Sequence, residues 1–117
     1  MRLLENPELR RALARLISGM LSYMDSGETS YSEEDVENCR EILAAHSTAL
    51  EHVKDRAAAL DLVKSTVIRL NKLNEKSGYE LIETDQREGI CEFIIKAGAV
   101  MGLNSEDEDV TEPWREW

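Results

Sequence analysis

Cysteine, histidine and clustered carboxylates are the side chains of this chain suited to ligating metal or attacking an electrophile, and their spacing tests whether they do. Cys39 and His46 lie seven residues apart on one helical face. A helix rises roughly 10.5 Å over that interval, whereas two ligands of one zinc sit within about 4 Å of each other, so one helix cannot bring the pair together. His46 and His52 are six apart and turn to different faces. A carboxylate-bridged dimetal bundle needs Glu three residues before His, and those positions hold Leu43 and Ala49. Neither acidic loop has the calcium pattern: Asp25-Ser26-Gly27-Glu28 places glycine where a ligand is required, and Asn104 to Asp109 has no central glycine. No metal and no cofactor are expected, and Cys39 and His46 read as members of a core stripe.

Covalent catalysis needs a nucleophile with a base in reach, and phosphate chemistry needs a glycine-rich cradle before a helix. No serine, histidine and aspartate spacing selects a triad, and Gly19, Gly89, Gly98 and Gly102 each stand alone, as glycines of helix packing and termination do. The chain is therefore not expected to be an enzyme. Arg10, Arg11 and Arg15 lack interleaved aromatics and read as a solvated face, or as an internal attractor for the acidic C-terminus.

The C-terminal segment is the most unusual. Glu106, Asp107, Glu108 and Asp109 precede Trp114 and Trp117, which share one side of a short terminal helix that Thr111 would cap. Tryptophan anchors interfaces and carboxylates steer a cation, so these six residues are the expected partner-binding set. The competing expectation is that both rings cap an open end of the core.

The elements that position these residues are helical. Ala, Leu, Glu, Lys and Arg dominate, aromatics are 5%, and two prolines and six glycines interrupt the chain. Asn6-Pro7-Glu8 starts a helix whose stripe is Leu9, Leu13, Leu16, Ile17, Met20, Leu21 and Met24, closed by Asp25-Ser26-Gly27. Ser32 with Asp35 resembles a capping box ahead of Val36, Cys39, Ile42, Leu43, His46 and Leu50, and the same phase continues through Leu73. This stretch is either one rod of roughly 65 Å or two helices turned at His46-Ser47-Thr48 or at Asp55, a potential cap. Thr84-Asp85 opens a last helix, ended at Gly102, over Ile90, Phe93, Ile94, Ala97 and Val100. The predicted fold is all-α, an antiparallel bundle of about four helices with the second and third separate or fused, over residues 1–103, followed by the acidic tail 104–117.

The 117 residues suit one domain, and the formal charge of −10 is uneven. Residues 1–24 carry +2, residues 25–103 carry −7 and residues 104–117 carry −5. Such a balance opposes binding to nucleic acid or anionic membrane and favours a basic protein. No apolar run reaches spanning length, no signal-peptide core opens the chain, and two cysteines on helical stripes need no disulfide, so a cytoplasmic setting is expected. The function expected is a non-catalytic acidic protein-binding domain of the immunity-protein, antitoxin or inhibitor kind, neutralising a basic, nuclease-like partner. The alternative is a homodimeric helical scaffold or assembly subunit paired along the rod.

Overall fold

The computed structural model describes residues 2–27 and 29–117, which leaves Glu28, the end of the first acidic loop, outside. Four helices form among the described residues: α1 (Pro7–Ser26), α2 (Glu33–Leu50), α3 (Arg56–Lys76) and α4 (Thr84–Val100), with 3-10 turns at Leu3–Glu5 and Glu112–Trp114. No described helix is long and apolar enough to cross a membrane.

Local side chains set most helix starts. The Asn6 carboxamide accepts from the Glu8 and Leu9 amides with Pro7 in the first turn, and the Ser32 and Asp35 side chains bond reciprocally to each other's backbone. Asp55 Oδ1 accepts from the Ala58 amide at 2.8 Å. Helix α2 stops at Leu50, and α3 begins afresh from that cap after a turn through 51–55. His46-Ser47-Thr48 lies inside α2, where Ser47 returns its hydroxyl to the Ala44 carbonyl. The 33–76 stretch is thus two helices, and the long rod that would have carried a paired scaffold does not form. At α4 the expected cap shifts by one residue, because Glu83 occupies the capping position without a side-chain bond and Thr84 is already helical.

Helices α3 and α4 end alike. Gly78 (φ 76°) and Gly102 (φ 73°) take the left-handed conformation, and the next amide in each, Tyr79 or Leu103, bonds back to Asn74 or Gly98. Gly78 has a second constraint, since a Cβ there would lie 2.5 Å from Ser30 Oγ.

Two antiparallel pairs make the bundle. In α1–α4, Gly89 sits on Leu16, Gly19 on Gln86, and Lys96 reaches Glu8 at 2.9 Å. In α2–α3, His46 Nδ1 lies 2.7 Å from Thr66 Oγ1, and Lys76 approaches Asp35 at 3.9 Å. Leu9, Met20, Leu43, Val67, Leu70, Ile90 and Phe93 form a wholly buried aliphatic and aromatic centre between them. Cys39 belongs to that centre, and burial pushes its thiol up to about 12, so it stays protonated and inert.

Candidate protein-binding surface

Helices α3 and α4 have little direct packing on each other, and the C-terminal segment occupies the space between them. After the turn at Gly102, Asn104 folds over the end of α4, donating from Nδ2 to the Ile95 carbonyl at 3.1 Å. A side chain at Gly98 would collide with the Asn104 carboxamide, so glycine is what lets the chain cross there. Val110 and Thr111 then enter the core, with the Thr111 hydroxyl 3.4 Å from Cys91 Sγ on α4. On the other side, Asn71 of α3 clamps the chain twice. Its Nδ2 donates to the Trp114 carbonyl at 2.8 Å, and its Oδ1 accepts from the Glu116 amide at 3.1 Å.

This arrangement engages most of the residues expected to meet a partner. Glu108 pairs with Arg56 of α3, whose guanidinium also donates to the Leu103 carbonyl at 3.0 Å. Arg56 holds the Glu108 carboxyl below its ordinary value. Asp109 Oδ1 accepts from the Thr111 amide at 3.0 Å and the Thr111 hydroxyl at 2.6 Å, and its Oδ2 accepts from Arg115 at 3.0 Å. Burial pulls the Asp109 carboxyl upward, but these donors outweigh it and the group stays below the usual range. Thr111 stands at the cap position of the terminal 3-10 turn, where its carbonyl accepts from the Trp114 amide at 3.3 Å and its hydroxyl, which makes no cap bond, donates to Asp109. Trp114 and Trp117 are half-buried against the core, and the Arg115 guanidinium lies 5.6 Å from the Trp117 ring centre. The tail meets a helix cation at Arg56 of α3, and among the described residues no ion pair joins it to Arg10, Arg11 or Arg15.

Glu106 and Asp107 remain exposed, and Glu106 faces a groove on α4. Its floor is Cys91 and Ile95; Glu88, Glu92 and Glu106 stand along the rim; Lys96 closes one end with its ammonium held by Glu8. The groove encloses about 370 Å³. No ion pair forms at Glu88, Glu92 or Glu106 among the described residues. No protein-family model, curated protein or solved structure matches the chain. The groove must therefore be read from its own chemistry.

Glu88, Cys91, Glu92 and Ile95 were not singled out by sequence pattern. The available signal was Glu88 and Glu92, one turn apart on the solvent side of α4, with Cys91 and Ile95 on the adjoining turn. Only the return of Glu106 from the tail makes them one site. Burial raises the Cys91 thiol above its ordinary value despite its Thr111 contact, so the groove has no activated nucleophile at that position. Helix α3 exposes Lys64, Arg69 and Lys72, as α1 exposes Arg10, Arg11 and Arg15, whereas the exposed charges of α2 are mostly acidic, so surface charge is unevenly spread over the helices.

Proposed function

We propose that this chain is a non-catalytic binding domain that captures a basic protein through the α4 groove. The observation that carries it is the set of three unpaired carboxylates, Glu88, Glu92 and Glu106, around the apolar floor of Cys91 and Ile95. A lysine or arginine laid in such a groove rests its methylenes on the floor and presents its charge to the rim. The net charge of −10 adds long-range steering, which accelerates encounter with a basic partner and weakens with salt. A nucleic-acid-binding cleft is rich in lysine and arginine, so occlusion of a nuclease-like protein, as by an inhibitor or immunity protein, is the form of activity this chemistry fits best.

The test is titration of the intact chain with a lysine- and arginine-rich amphipathic peptide, alongside capture from lysate, at low and high salt. The Glu88→Gln/Glu92→Gln/Glu106→Gln variant should bind about tenfold or more weakly, since exposed charge pairs contribute up to about 1 kcal/mol each. Peptide affinity unchanged by the triple substitution would remove the groove from the reading.

A further inference from the structure

Among the described residues no element covers the face of α1 turned away from α4, and its side chains are spaced symmetrically from both ends, with complementary residues at matching positions. A shallow apolar groove of about 680 Å³ runs along it, lined by Arg10, Ala14, Ile17, Ser18, Leu21 and Asp25, with Arg40 of α2, paired to Glu37, at its edge. Arg10, Ala14, Ser18 and Asp25 are exposed, and Ile17 and Leu21 are half-buried.

We propose that this face is a two-fold interface at which a second copy of the chain packs its own α1 antiparallel. With the axis between Ile17 and Ser18, Arg10 lies opposite Asp25 of the second copy, Ala14 opposite its Leu21, and Ile17 opposite its Ser18. The two-fold repeats each pairing, so every large side chain meets a small one and each charge meets its complement at both ends. A parallel copy would instead stack Arg10 on Arg10 and Asp25 on Asp25.

Charge also selects a second copy over another partner. Two chains of −10 repel, yet on this face Arg10 and Asp25 cancel within one copy, whereas the exposed sides of α2 and of the tail are acidic and that of α3 is basic. Arg11 and Arg15 are turned roughly 100° and 140° from Arg10 around the helix and flank the contact without entering it. One helix-on-helix contact is smaller than the roughly 800 Å² per partner of a standard interface, so the dimer should be a weak one that fills as concentration rises.

Sedimentation equilibrium of the full chain from about 10 to 500 µM tests this. The weight-average mass should climb from 13.3 kDa toward twice that value. Ala14→Glu, a change at an exposed position outside the core, should hold the chain at the monomer mass. Arg10→Asp should weaken association at least fivefold, and Arg10→Asp/Asp25→Arg should restore it to within about twofold. A constant monomer mass over the whole range overturns the proposal, as does a dimer indifferent to Ala14→Glu or a charge swap that restores nothing.

Discussion

Acidification should destabilise this protein well above the pH at which its carboxylates titrate, and His46 is the reason. The ring is 2% exposed between α2 and α3, its Nδ1 bonded to Thr66 Oγ1 and its Nε2 without a partner. Burial lowers its pKa from 6.5 to about 4. The sign follows from proton counting. Between pH 6.5 and 4 the unfolded chain binds a proton at this residue and the folded chain does not, so stability is full above pH 6.5 and falls as pH falls toward 4. At about 1.4 kcal/mol per pKa unit the complete loss is about 3 kcal/mol, and about 2 kcal/mol of it is already gone at pH 5. Against a typical total of roughly 5–15 kcal/mol that is readily measured. Urea unfolding followed by circular dichroism from pH 7.5 to 4.8 reads it directly. Glu8, Glu37, Glu108 and Asp109 all have lowered pKa values, so their contributions enter only at the acidic end of this range. His46→Asn places an amide near the Nδ1 position and retains a partner for Thr66. It should lose about 1–2 kcal/mol at pH 7.5 to the smaller volume and show a much flatter profile down to pH 5. A wild-type midpoint that does not move between pH 7 and 5, or a variant that keeps the wild-type slope, would refute the assignment.

Two other predictions concern the joints of the fold. Asn71→Ala removes both bonds that hold the tail to α3 and should cost about 1–2 kcal/mol. Because both tryptophans of the chain, Trp114 and Trp117, lie in that tail, their emission should shift to the red at denaturant concentrations where the helical signal is still intact; coincident transitions would mean that Asn71 is not the clamp. Asp55→Ala removes the cap of α3 and should cost about 1 kcal/mol, seen as a lower urea midpoint with an unchanged slope, while an unaltered midpoint would assign the α2–α3 turn to packing alone.

The helix starts were legible because capping is local. Asn6, Ser32 and Asp55 each bond to amides two or three residues away, a distance sequence reading can span. The choice between one helix and two was not, since the apolar phase runs through 51–55 without glycine or proline, and the return of α3 onto α2 depends on contacts such as His46 with Thr66. Thr84 misled because a threonine is equally suited to a cap and to the first turn, and α4 starts from an extended Glu83. The tail showed its composition but not its partners. Arg56 lies 52 residues from Glu108, and Asn71 lies 43 from Trp114, separations over which spacing carries no information.

The place of the tail determines how binding has to be tested. An acidic segment with two tryptophans invites removal as a unit, on the expectation that it is a detachable arm. Here removal would uncover the slot filled by Val110 and Thr111, strip both partners from the Asn71 side chain and take Glu108 away from Arg56. A chain ending at 103 would thus expose apolar core between α3 and α4 and place a new terminal carboxylate beside Arg56, two changes that alter binding to many partners. Loss of binding on truncation would therefore not locate a site in the tail. Substitution at Glu106 avoids this, because its exposed carboxylate reaches the groove without supporting the fold, whereas Asp109 forms three of the bonds that shape the segment. Neutralising Glu106 with Glu88 and Glu92 changes the charge around one groove, and neutralising Asp109 changes the structure behind it. If the first variant loses affinity while keeping the wild-type tryptophan emission, recognition belongs to the α4 surface and the tail is the wall that completes it.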